Sequence, residues 1–206
     1  ALTTLDGLKN INSTSWTVTI EGNSSLTDLE ALSAVTTIRY DLHIEQNPAL
    51  TNLEGLRNIT SVGNDLRLGY YNSLTSLNGL RNLTAVGNDL TIIGNASIVD
   101  LDGLRNIRSI GGGIHVGRND GLRSLEGLSS ITTVGGNLTI NENESLRNLD
   151  GLHNITAVGG SLWIAWNARL PNLDALNRLT SVGRAMHIGG HAVLADIDGL
   201  MGLTFL

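Results

Sequence analysis

Leucine and isoleucine recur along this chain in a fixed order, and the order repeats every 24 residues without insertion or deletion. The unit begins at Leu2, Leu26, Leu50, Leu74, Ile98, Leu122, Leu146, Leu170 and Leu194. Within each unit apolar residues fall at positions 1, 4, 7, 10, 13, 17 and 19, as in Leu146, Leu149, Leu152, Ile155, Val158, Leu162 and Ile164. Positions 16 to 20 alternate polar and apolar, as in Asp89-Leu90-Thr91-Ile92, the pattern of a half-buried strand. Positions 10 to 13, such as Ile59-Thr60-Ser61-Val62, predict a second and shorter sheet. Glycine at position 14 (Gly63, Gly87, Gly111, Gly135, Gly159, Gly183) marks the corner between the two. A period of this length predicts one coil per unit, each burying its apolar face against its neighbours. The fold class is therefore mainly β: a right-handed β-solenoid of about eight and a half coils, spanning residues 1–206 as one domain, with short helical turns on one edge.

Three polar columns interrupt the aliphatic ones. Position 22 is Asn23, Asn47, Asn95, Asn119, Asn143 and Asn167, with Tyr71 and His191 in the other two units. An amide between apolar neighbours must find partners, because an unpaired buried one costs a few kcal/mol. The natural partners are main-chain groups of adjacent coils, so the column predicts a buried asparagine ladder. Position 5 is acidic in eight of nine units, and Lys9, Arg57, Arg81 and Arg105 follow three residues on. Each carboxylate either caps the short turn begun by Gly-Leu or joins a cation-binding stripe. One carboxylate per coil does not converge on a point as Ca²⁺ requires, so capping is the expectation. Position 11 is a threonine column from Thr36 to Thr204, broken by Arg108. It suits β structure and also invites an ice-binding reading.

Joined across the boundary, the unit reads V-G-G-x-L-x-I-x-x-N-x-x-L-x-x-L-[D/E]-G-L. It is best seen from Val134 through Ile140, followed by Asn143, Leu146, Leu149 and Gly151. This resembles the leucine-rich-repeat class and, within it, the receptor L-domain type. The resemblance implies a solenoid displayed outside the cell or on its surface and used for recognition or wall structure. The chain departs from receptor members by its strict spacing and its lack of cysteine, which points toward a microbial or wall-type surface protein.

Composition narrows the functions. The formal net charge of −6 disfavours nucleic acid, whose affinity rests on cationic contacts to phosphate. No apolar run approaches the roughly 20 residues of a membrane span. Lys9, the one lysine, follows Leu8, so there is no Gly-Lys phosphate loop, and no cysteine or G-x-S-x-G nucleophile is present. The chain reads as non-enzymatic, with no cofactor. His43, His115 and His187 share a column but stand three coils apart, about 14 Å, too far to ligate one ion. No metal site is expected.

Function is sought where the repeat varies. Position 18 changes from coil to coil, including His43, Arg67, Thr91, His115, Trp163 and His187, while positions 17 and 19 stay aliphatic. Trp163 and Trp166 lie together; Tyr70 and Tyr71 sit four coils away, about 19 Å along the axis. Exposed aromatics favour interfaces, so these residues form the candidate binding face for a protein or glycan ligand. The sequons at Asn58, Asn82 and Asn154, with Asn137 a lesser candidate, are the expected glycosylation sites. Asn23, Asn95 and Asn143 also begin sequons but are expected to be buried and unavailable. The unit opens at Leu2 and a ninth is half finished at Leu206. A repeat that runs uncapped to both ends suggests a segment of a longer protein, or a second class of function: end-to-end self-association into an extracellular fibre or wall.

Overall fold

A computed structural model describes residues 2–70 and 73–205. Its main element is an eight-stranded, all-parallel sheet with one four-residue strand per coil, from Val18–Glu21 through Leu42–Glu45, Leu66–Gly69, Leu90–Ile93, Ile114–Gly117, Leu138–Asn141 and Leu162–Ala165 to Met186–Gly189. The register matches like with like. Thr19 pairs with His43, His43 with Arg67, and Trp163 with His187. Parallel neighbours separated by a full coil are what a period without insertions must give, because any slip would turn the aliphatic residues outward. The inward residues of the middle strands, Leu66, Leu68, Leu90, Ile92, Leu138 and Ile140, are fully buried in one continuous aliphatic core.

The second sheet is narrower than the sequence suggests. Its strands are two residues long, at positions 12 and 13 only, and they form two stacks: Thr37–Ile38 to Ser109–Ile110, and Thr133–Val134 to Ala157–Val158 and Ser181–Val182. Position 11 lies just outside. Its main chain still pairs between coils, and each of Thr60, Thr84, Thr156, Thr180 and Thr204 also donates its hydroxyl to the carbonyl of the threonine one coil back, at 3.0–3.2 Å. This gives the threonine column a scaffold role that accounts for it without an ice surface.

The third edge carries a 3₁₀ turn at positions 5 to 7 of each coil, such as Glu54–Leu56 and Asp150–Leu152. The acids at position 5 do not cap these turns. The cap is position 3, two residues earlier. The side-chain oxygen of Asp28, Asn52, Ser76, Asp100, Ser124, Asn148, Asn172 or Asp196 accepts the N–H of position 5 at 3.1–3.3 Å. A short polar side chain bonding the main chain two residues on is the Asx or Ser/Thr turn. The acids instead pair with arginine: Arg57 with Glu30 and Arg81 with Glu54 across coils, and Arg105 with Asp102 within one. These pairs are largely exposed and worth little individually, but they relieve repulsion along the column.

The glycines of position 14 do not supply a left-handed backbone. They are set by the approach of the coil before: a Cβ at Gly87 would lie 1.9 Å from the carbonyl oxygen of Gly63, itself a glycine. Gly87→Ala must open the spacing of two coils held by the sheets, and overpacking of this kind costs about 1–3 kcal/mol. Thermal unfolding should show a midpoint lowered by several degrees.

The left-handed corner is at position 21. Gly22, Gly94 and Gly190 take φ of 70–73°, and Gln46, Tyr70, Arg118, Glu142 and Trp166 take φ of 53–56°. The next residue begins the asparagine ladder. Asn143 accepts from the Asn119 main-chain N–H at 3.1 Å and donates to the Val116 carbonyl at 3.0 Å. Asn47, Asn95, Asn119 and Asn167 are likewise fully buried and donate to carbonyls one coil back. His191 takes the place of asparagine with its two ring nitrogens 3.1 Å from the carbonyl oxygens of Ile164 and Asn167. Asn23 departs from the expectation of burial: as the first rung it is only half-buried.

Candidate functional site

Each strand of the long sheet turns positions 16, 18 and 20 outward, so the register lays three rows of side chains across this face. The rows are not uniform, and their composition divides the face into regions.

Coils 2 and 3 carry a charged region. Asp41 and Asp65, stacked at position 16, each bind the next coil: Asp41 accepts from the Asp65 N–H and the Asn64 amide, Asp65 from the Asp89 N–H and the Asn88 amide. Asp41 also accepts the Thr17 hydroxyl at 2.7 Å. That hydroxyl, then the Asp65 N–H, hold the Asp41 carboxyl below its usual range. Glu45 shifts the other way. Burial raises it, and the opposing pull of Arg67 and His43 does not cancel that. Arg67 Nε lies 3.6 Å from Glu45 Oε1, an ion pair beyond hydrogen-bond length. Both atoms, and Nε2 of His43, are shielded from solvent without a hydrogen-bond partner.

These shifts have opposite signs in stability. The Asp41 contribution is present above the ordinary carboxylate pKa and is lost as pH falls through its lower folded value. Folding raises the proton affinity of Glu45, so its ionisation costs stability as pH rises through its window. At neutral pH, Glu45→Gln should raise the melting temperature and Asp41→Asn should lower it. Both differences should vanish in acid, as a pair of melting-temperature profiles against pH would show.

Asp41, His43 and Asp65 also bring possible ligand atoms within 4.8 Å of one another. A divalent cation could be held there by two carboxylates and an imidazole. The set combines two columns of the repeat, which the spacing of the histidines alone does not reveal. The bonds made by Asp41 and Asp65 to the next coil give both carboxylates a scaffold role without a metal.

Coils 4 to 8 carry a groove. Two adjoining depressions of about 420 Å³ each share His115, Asn137 and Thr139, a size within the roughly 300–1,000 Å³ of small-ligand sites. One is a glycine-lined hollow: Gly113, Gly135, Gly136, Gly159 and Gly160 line it, with Thr91, Asp89 and Arg184 also contributing. The other is walled by Trp163 and Trp166 and floored by Thr139, Asn141 and Ser161. The tryptophans are 38% and 50% exposed. Their ring centroids lie 6.4 Å apart with planes tilted 41°. His187 of the next coil stacks on Trp163 at 4.0 Å. Trp166 sits in the left-handed corner (φ 53°), and its ring crosses Gly190, where a Cβ would come within 2.3 Å of it.

Of the residues singled out from sequence, His115, Trp163, Trp166 and His187 are therefore brought together, with Thr91 along the groove. His43 and Arg67 belong to the charged region instead. Tyr70 is exposed at the corner of coil 3, away from the groove, and Tyr71 lies outside the described residues. Asn141 was not anticipated. Its Oδ1 lies 2.9 Å from His115 Nε2 and its Nδ2 donates to Glu142 at 2.9 Å. Trp16 and Tyr40, both at position 15, form a second exposed aromatic stack, 6.4 Å between centroids, at the corner of coils 1 and 2. Two tryptophan or tyrosine residues 24 apart were the available signal for it.

Among the position 9 sequons, Asn58 and Asn82 are exposed and Asn154 is half-buried. Each donates its amide to a main-chain carbonyl one coil back at 2.8 Å, as Asn106 does at 2.7 Å. They form a second, outer ladder. Asn137 is exposed in the groove, and its Oδ1 accepts the Ser161 N–H.

Among the described residues no helix is long and apolar enough to cross a membrane. No protein-family model matches the chain, and no curated protein does. Among solved structures it is similar to an internalin from Listeria monocytogenes, at 15% identity over 97% of this chain and 67% of that one, with a TM-score of 0.31. The 24-residue leucine pattern, one parallel strand per coil and the asparagine ladder make the chain a solenoid of leucine-rich-repeat type.

Proposed function

We propose that this chain is an extracellular or cell-surface recognition module, of the receptor L-domain subtype, that binds a protein or glycan through the outward face of its long sheet. One observation carries the reading: the inward rows are aliphatic, while the outward row at position 18 changes from each coil to the next and includes Trp163, which with Trp166 of the adjoining corner stands exposed beside a groove. Solenoid faces of this kind serve as extended binding surfaces, and aromatic anchors dominate binding energy where they are found. The other recurrent polar columns are occupied by scaffold bonds, which supports a non-enzymatic role. Glycans on Asn58, Asn82 and Asn154 would stand on the edge of the turns, clear of the sheet face. Probing arrays of extracellular proteins and of glycans with the labelled chain tests the reading. Captured ligands should be lost when Trp163 and Trp166 are both replaced; retention of every ligand would place the site elsewhere.

A further inference from the structure

We infer that the groove of coils 4 to 8 binds an uncharged saccharide, with a sugar ring seated in the corner between Trp163 and Trp166 and the chain of sugars running toward the glycine hollow. The inference rests on the recognition reading above and assigns its ligand class.

A pyranose has an apolar face of C–H groups and a rim of hydroxyls that donate and accept. It therefore asks for an aromatic plane beside short side chains that can do both. The Trp163–Trp166 corner supplies the planes. His187 covers one side of Trp163, and Trp166 lies over Gly190; both partners belong to the following coil. The opposite ring faces turn toward coil 6, where Thr139 and Asn141 line the same depression together with Ser161 of coil 7. Among the described residues the hydroxyls of Thr139 and Ser161 have no partner within the chain, unlike the hydroxyls of the position 11 column. The Asn141 amide is held in place by His115 and Glu142, so it is ordered before any ligand arrives, which lowers the entropic cost of binding.

The charge at the tryptophan corner argues for a neutral sugar there, Asp89 and Arg184 lining only the glycine hollow. Asn137, Thr139, Asn141 and Ser161 carry no charge, and Glu142, the carboxylate beside Trp166, is already engaged by Arg118 at 3.1 Å and by Asn141. An acidic sugar would find no unpaired cation at the tryptophan corner, and a basic one no free carboxylate. The tilt of the two rings makes a concave corner rather than a flat platform, so a soluble chain or its end fits better than the surface of a crystalline polymer. Along coils 5 to 7 the glycine-lined depression adjoins the tryptophan corner through His115, Asn137 and Thr139, so the groove continues past one ring's length.

The test uses intrinsic fluorescence. The chain has three tryptophans, and Trp16→Phe leaves only the two of the groove. This variant is titrated with neutral gluco-, manno-, galacto-, xylo- and N-acetylglucosamine oligosaccharides. At least one should give a saturable change in emission, with an affinity that does not depend on salt, since no ion pair forms. Asn141→Ala, which leaves both indoles in place, should weaken it at least tenfold with an unchanged melting temperature. No response to any neutral oligosaccharide, or a response only to charged ones that fades with salt, would overturn the assignment. If Trp163→Ala and Trp166→Ala abolish capture of a protein partner stripped of its glycans, the sheet face is still the recognition site but the saccharide assignment falls. If the variants retain every ligand, both fall.

Discussion

Replacing Asn143 by alanine should destabilise the solenoid by about 3–5 kcal/mol, the largest single-residue effect expected outside the aliphatic core. The Asn143 side chain is fully buried and holds two main-chain groups of the preceding coil, the N–H of Asn119 and the carbonyl of Val116. Alanine has no atom to offer either, and each buried polar group left unpaired costs about 1–3 kcal/mol. In a chain of this size each kcal/mol lowers the melting temperature by about 2–4 °C, so the midpoint should fall by roughly 10 °C. Coils contact only their neighbours, so the loss in coil 6 should also weaken the coupling of the two halves and broaden the transition. Asn23→Ala supplies the contrast. That rung is half-buried and accepts only the exposed Leu2 N–H from the coil start, so its loss should move the midpoint far less. Circular dichroism melts of the two variants check the ordering.

Trp163→Ala combined with Trp166→Gly should have the opposite profile: ligand capture falls at least 100-fold while the melting temperature changes by only a few degrees. Aromatic anchors in an interface contribute 2 kcal/mol or more each, and two of them exceed the factor of ten per 1.4 kcal/mol twice over. Stability is spared because both rings are substantially exposed and because Trp166 holds a left-handed backbone. A non-glycine residue there costs about 1–2 kcal/mol, which glycine recovers against the packing lost on Gly190. Position 21 is left-handed in all eight described coils, and three of them use glycine. Trp166 shares that conformation with Gln46, Tyr70, Arg118 and Glu142, so its backbone cost is common to the repeat.

Much of this was legible in the sequence. The inward columns at 17 and 19, the parallel register and the buried ladder follow from one repeated unit, because a constant period leaves the strands no other pairing. The sequence also brought Trp163, Trp166, His115 and His187 into view, because they stand in columns that vary while their neighbours repeat. Columns report like positions on successive coils. They do not report which different columns meet, and the remaining features arise there. The capping role passed to position 3 because an oxygen two residues before the turn reaches its N–H, whereas the acid at position 5 points along the stack to an arginine of the following coil. Gly135 and Gly159 read as corners, yet with Gly113, Gly136 and Gly160 they line the depression beside the tryptophans. Asn141 stands in a column that is otherwise glutamate, glycine, alanine or isoleucine, and its role depends on the imidazole one coil away. Likewise Asp41, His43 and Asp65 converge only once the coils are stacked.

The central claim is that the recurring polar columns hold the coil together and the irregular outward row binds a ligand. It is tested most directly by measuring ligand capture and melting temperature together for the Trp163→Ala/Trp166→Gly variant. The account predicts a chain that melts within a few degrees of the parent and no longer captures its ligand. A variant that melts as the parent does and still captures every ligand would contradict it.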